Sequence, residues 1–77
     1  MVHSKYLESL TPQERSELEN NLYERQGHLC FICEEKIDPQ LSECEIDHVV
    51  PLASGEGKDE PNNFALCHKK CNREKQD

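Results

Sequence analysis

The sequence predicts a small α+β domain held together by bound metal rather than by a large apolar core, with a helix in front of it. Three observations predict it. A capped amphipathic segment opens at Thr11, β-prone runs lie on either side of a Cys-x-x-Cys and again before Pro51, and thiol and imidazole side chains cluster at Cys30/Cys33 and at Cys67/His68/Cys71. The 77 residues suffice for one domain, but only 34% are apolar, with no Trp, two Phe and two Tyr. Hydrophobic burial alone leaves so short a chain near zero stability, so a structural metal is expected. We divide the chain into a lead-in and amphipathic helix over 1–27 and a metal-stapled part over 28–77, together one compact unit.

Met1 to Leu10 has no clear periodicity and reads as a loose lead-in, although Tyr6, Leu7 and Leu10 have the spacing of one helical turn; His3 reads as exposed. From Thr11 the signals sharpen. Thr11 is an N-cap with Pro12 at the first helical position and Glu14 closing a capping box, and Leu18 and Leu22 fall on one face. The helix should stop near Gln26, with Gly27 in the left-handed position and His28 at the helix end or on the surface. Its Glu, Asn, Gln and Arg positions read as a solvated outer face.

His28 to Ile37 predicts a strand, a tight turn at Cys30 and Cys33, and a returning strand. Asp38-Pro39-Gln40 is a loop, and Glu43 to Val50 is the next strand, stopped by Pro51. In it Cys44, Ile46 and His48 alternate with Glu45, Asp47 and Val49. Ala53 to Asn62 carries loop chemistry. Phe64-Ala65-Leu66 is a short apolar strand, and a helix begins at Lys69 and runs into the chain end, which suits a domain cut from a larger chain.

Five cysteines make an odd count. With no signal peptide and no apolar run approaching the roughly 20 residues of a membrane span, they point to a reducing, cytoplasmic setting and to zinc rather than disulfides. Two thiols alone also suit a redox motif, but that reading wants a βαβ pattern absent here. A second donor cluster some 35 residues on makes a closed tetrahedral zinc site the better reading. Cys30, Cys33 and Cys71 are common to it. Either His68 or Cys67 can be the fourth ligand, since both stand on one face with Cys71 at the start of a helix. Cys44, alone on the face of Ile46, reads as a core thiol.

The net charge of -7 is awkward for a partner of nucleic acid, because an acidic surface repels phosphate. The distribution is uneven, however. Glu8, Glu14, Glu17, Glu19 and Glu24 lie in the N-terminal third, whereas Lys69, Lys70, Arg73 and Lys75 gather beside the second donor cluster.

The stretch that these clusters enclose is Ile46-Asp47-His48-Val49-Val50-Pro51, a carboxylate beside an imidazole at the end of a strand. The ordered set Asp47-His48-x-x-Pro51, Asn63-x-x-Leu66 and His68-x-x-Cys71-Asn72-x-x-Lys75, framed by Cys30-x-x-Cys33, resembles the His-Asn-His (HNH) endonuclease family, over roughly Leu29 to Gln76. That resemblance implies a zinc-stapled ββα-metal finger preceded by the N-terminal helix. Its register, counted from Asn63, implies His68 rather than Cys67 as the fourth zinc ligand with Cys30, Cys33 and Cys71. It further implies a metal-dependent DNA endonuclease in which His48 is the general base, Asp47 and Asn72 hold Mg²⁺ or Mn²⁺, and Asn63 ties the loop that orients the base. RNA or a branched junction are variants of the substrate.

The side chains suit those roles. Imidazole changes charge near neutral pH and can take a proton from water. Asp47 and Asn72 offer two hard oxygens and leave positions for phosphate and water on a hexacoordinate ion. Lys69, Lys70, Arg73 and Lys75 are expected to hold phosphates without reading sequence. Regular strand neighbours point to opposite faces, so Asp47 and His48 can serve one phosphate only if the strand twists or bulges. The rival reading is a non-catalytic zinc-knuckle module that binds nucleic acid or protein.

Overall fold

A computed structural model describes residues 4–41 and 43–75; His3 and the last two residues, Gln76 and Asp77, lie outside them. The elements run α1 (Lys5–Glu8), α2 (Pro12–Arg25), β1 (Cys44–His48), β2 (Phe64–His68) and α3 (Lys69–Lys75), with short 3₁₀ turns at Leu52–Ser54 and Pro61–Asn63. This is a small α+β fold, two antiparallel strands followed directly by a helix, which is the arrangement of a zinc-stapled ββα unit.

The start of α2 forms as its residues dictate. Thr11 Oγ1 accepts the Glu14 N–H at 3.1 Å while the Glu14 carboxylate accepts the Thr11 N–H at 2.9 Å, satisfying two of the helix's orphan donors. Pro12 gives up no hydrogen bond at the first position. At the other end Gly27 takes φ 64°, and His28 follows it into the left-handed region, its ring stacked on Tyr23 at 4.1 Å and its Nε2 3.1 Å from the Glu24 carboxylate. Glu14, Glu17 and Glu24 face solvent.

Leu22 is the one α2 side chain that is fully buried, and it enters a core of Cys30, Ile37, Cys44, Phe64, Leu66 and Cys67. Two of its five most buried large side chains are cysteines, which is how little hydrocarbon this chain has to fold around. Cys44 is a core thiol, its S–H donated to the Leu41 carbonyl at 3.2 Å and its ionisation opposed by burial.

The far edge of β2 is closed by side chains rather than by a third strand. Gln26 Nε2 donates to the Leu66 carbonyl at 2.9 Å and Gln26 Oε1 accepts the Leu66 N–H at 2.5 Å, so one amide acts as a strand residue. Arg25 donates to the Phe64 carbonyl at 2.6 Å, and the Phe31 N–H to that of Leu66 at 3.0 Å. Gln26→Ala leaves both Leu66 groups without their side-chain partner. We expect it to lower unfolding stability by about 1–3 kcal/mol in urea titrations of the metal-loaded protein, with an unchanged m-value.

Two expectations need correction. Residues 28–37 do not form two strands; they make a single bridge, Leu29 to Lys36, around a turn. The turn consumes the segment: Glu34 sits at φ 62° with its N–H on the Cys30 carbonyl, leaving too few residues on either side for a ladder. The lead-in is not loose at Ser4 to Glu8, where a helical turn is N-capped by Ser4 Oγ, which accepts the Leu7 N–H at 3.0 Å. No helix among the described residues is long and apolar enough to cross a membrane.

Candidate active site and metal centre

The knuckle turn and the β2–α3 junction meet. Cys30, Cys33, His68 and Cys71 bring one ligand atom each to within 4.8 Å of one another. Cys33 Sγ and Cys71 Sγ stand 3.3 and 3.7 Å from His68 Nδ1. A tetrahedron with Zn–S of ~2.3 Å and Zn–N of ~2.0–2.1 Å puts S and N about 3.6 Å apart, so the spacing fits zinc.

The backbone prepares these ligands. Cys30 Sγ accepts N–H groups from Ile32 at 3.3 Å and from Cys33 and His68 at 3.5 Å. Burial alone would oppose its ionisation, but these donors outweigh it and bring the thiol's pKa down to about 6, favouring the thiolate that binds metal. His68 Nε2 lies 3.0 Å from the Lys36 carbonyl, an acceptor only, so Nε2 carries the proton and Nδ1 presents its lone pair to the cluster.

The pleat brings His68, and not Cys67, to the cluster. Cys67 is opposite Glu45 in the register and wholly buried. Burial, with the charges of Asp47, Cys30 and Glu45, pushes its thiol up to about 12. It stays protonated inside while its neighbour turns out to the cluster. Cys67→Ala should therefore keep one zinc per chain and His68→Ala should lose it or bind it at least tenfold more weakly, as read by metal analysis and a chromophoric chelator.

The sheet register, Cys44↔His68 through His48↔Phe64, is unbroken. Glu45, Asp47, Ala65 and Cys67 consequently share one face, and Cys44, Ile46, His48, Phe64 and Leu66 the other. The bulge that would turn Asp47 and His48 the same way is absent. Instead β1 stops at His48, and Asp47 Oδ1 accepts the His48 N–H at 2.9 Å, keeping the carboxylate near the strand's end.

On the first face, α3 lays Asn72 against Glu45. Its Nδ2 donates to Glu45 Oε2 at 2.9 Å, which fixes the amide orientation, since a carboxylate takes only a donor. Asn72 Oδ1 is buried with no hydrogen-bond partner among the described residues. A buried acceptor without a donor is costly in protein and suited to a cation, and Asp47 and Glu45 share its face. The donor set fits a hard divalent ion.

On the second face, His48 packs edge-on to Phe64, centroids 5.1 Å apart. Its Nε2 is 3.0 Å from Asp59 Oδ1. Hydrogen bonds from Ser4, His48 and the Tyr6 N–H hold the Asp59 carboxyl down at about 2. Asn63 continues the strand where Pro51 ends it. Its Oδ1 accepts the Val50 N–H at 2.9 Å, its Nδ2 donates to the Val50 and Lys58 carbonyls at 2.9 and 2.8 Å, and its own carbonyl accepts the Val49 N–H at 2.8 Å. The loop closes tightly here, and a side chain at Gly57 would collide with the carbonyl oxygens of Val50 and Pro51.

Of the four basic residues, Lys70 and Arg73 are exposed and Lys69 is half-buried; the Lys75 side chain lies outside what the structure describes. Lys70 lines a hollow with Glu35, Glu43 and Glu74, so acidic neighbours dilute the expected positive patch.

Sequence reasoning missed Glu45 and Asp59. Glu45 could have been found, because two residues before Asp47 means the same face of a strand. Asp59 carried no signal beyond being an acid in a loop.

Residues 30–77, more than half of the chain, match the family model described as HNH endonuclease. No curated protein and no solved structure matches the chain.

Proposed function

Because the chain belongs to the HNH endonuclease family, we propose that it hydrolyses phosphodiester bonds in DNA with a divalent metal, on a frame stapled by zinc at Cys30, Cys33, His68 and Cys71. The observation that carries this reading is Asn72 Oδ1, a buried acceptor with no donor among the described residues, held by Glu45 on the sheet face of Asp47, the residue before His48.

In this reading Asp47 and Asn72 hold Mg²⁺ or Mn²⁺, with Glu45 fixing the Asn72 amide. The ion supplies positive charge beside the phosphodiester as charge builds on it and on the leaving oxygen. His48 takes the proton from the attacking water. With Nε2 turned to Asp59, the accepting atom is Nδ1, which has no hydrogen bond to the described residues. Asp47 and His48 lie on opposite faces, so the scissile phosphate sits across the end of the ribbon, where β1 stops and both can reach it. Asn63 holds that end in place. Lys69, Lys70, Arg73 and Lys75 contact flanking phosphates; these contacts carry no base readout and weaken with salt.

The net charge of -7 favours a second reading, a zinc module that binds without cutting. The two separate on supercoiled plasmid in Mg²⁺ and Mn²⁺. Asp47→Ala and Asn72→Ala are expected to raise the metal concentration for half-maximal cleavage at least tenfold while each variant keeps one zinc per chain. Cleavage with unaltered metal dependence in both variants would contradict the assignment.

A further inference from the structure

We propose that Asp59 is the positioning residue for His48, and that the N-terminal turn Ser4–Glu8 braces Asp59 in that role. The proposal deepens the endonuclease reading, on which its kinetic arm rests. It begins with a carboxylate whose bonds all point one way. Asp59 Oδ1 lies 3.0 Å from His48 Nε2 and accepts the Ser4 hydroxyl at 2.5 Å, and Oδ2 accepts the Tyr6 N–H at 2.9 Å.

The proton positions follow from chemistry. The Ser4 hydroxyl has one proton, and since its oxygen already accepts the Leu7 N–H, that proton goes to Asp59. An ionised carboxylate only accepts, so His48 must donate from Nε2. The imidazole is thereby held as the Nε2–H tautomer with its Nδ1 lone pair available, the same logic by which a third group orients the base in other hydrolytic sites.

The aromatic packing fixes the ring plane. Phe64 meets His48 edge-on at 79°, and Tyr6 meets Phe64 edge-on with centroids 5.6 Å apart. The loop is pinned on both sides of Asp59, by Asn63 Nδ2 on the Lys58 carbonyl and by the Asn63 N–H on the Glu60 carbonyl at 2.9 Å. Asn63 thus holds the strand end after His48 and the loop that carries its partner. The Ser4–Glu8 brace lies outside the 30–77 segment that matches the family model, so this chain supports its base with residues of its own lead-in.

The test reads the tautomer and the rate separately. Two-bond ¹H–¹⁵N correlation spectra of zinc-loaded protein, at a pH where the His48 ring is neutral, should show the Nε2–H form in the wild type and a mixture containing the Nδ1–H form in Asp59→Ala. Plasmid cleavage in Mg²⁺ should show kcat reduced 10- to 100-fold in Asp59→Ala and two- to fivefold in Ser4→Ala, with KM within twofold and one zinc per chain in both. If Asp59→Ala does not fold, Ser4→Ala reads the same change in the spectrum. An Nδ1–H tautomer in the wild type, or an unchanged spectrum in both variants, overturns the proposal. An inactive wild type with the Nε2–H tautomer supports the positioning and counts only against the nuclease reading.

Discussion

Replacing His48 with alanine should lower the rate of plasmid cleavage by about 10²–10⁴-fold, the range for a lost general base, without releasing zinc or unfolding the chain. The reasoning is local. His48 is half-buried at the end of β1, and its ring meets the core only at its margin, edge-on to Phe64, with Asp59 on its other side. Truncation removes one edge-to-face contact and one hydrogen bond to a carboxylate that keeps its Ser4 and Tyr6 donors. Stability should therefore fall by only about 1–3 kcal/mol. Kinetics under single turnover, with thermal unfolding and zinc content on the same sample, check both halves. A variant that loses activity together with zinc would mean that His48 holds the fold.

Removing the zinc should have the larger effect on structure. Apparent zinc binding free energies of about 10–16 kcal/mol in small zinc modules match or exceed the roughly 5–15 kcal/mol of a whole domain's stability. The core here is a few residues around Leu22, Phe64 and Leu66, and one of its most buried members, Cys30, belongs to the candidate metal cluster. The knuckle reaches the sheet through a few hydrogen bonds, Phe31 to Leu66, the Cys30 thiol to the His68 N–H and His68 to the Lys36 carbonyl. A zinc chelator, or Cys30→Ser, should abolish the cooperative thermal transition seen by circular dichroism and the hydrogen-exchange protection of β1 and β2. Retention of both in metal-free protein would show that the apolar core suffices.

The elements that the sequence announced are those determined by neighbours in the chain. The Thr11–Glu14 capping box, the Gly27 turn, the two strands and the start of α3 all follow from residues within a few positions of one another. The candidate metal cluster was readable because spacing along a turn and a helix start limits which donors can converge; the two-residue period of β2 turns His68, and not Cys67, toward it. Long-range bonds were not readable. Ser4–Glu8 has no periodicity and forms a turn because Asp59, more than fifty residues away, accepts from Ser4 and Tyr6. Gln26 looked like a helix end, and its amide became a strand partner for Leu66. The β-prone runs on either side of the Cys-x-x-Cys suggested strands, but the Cys30 thiol drew the N–H groups of the turn to itself. In the first two cases a side chain met a backbone group or carboxylate distant in sequence, which no local pattern encodes.

On the proposed function, a zinc-framed chain of 77 residues cuts phosphodiesters with a second, harder metal. The most direct measurement is single-turnover cleavage of an end-labelled duplex by wild-type protein carrying one counted zinc, with and without added Mg²⁺ or Mn²⁺. Strand breaks should appear only when the second ion is added, with the zinc retained throughout. An intact duplex in both ions, with the zinc in place, would contradict it.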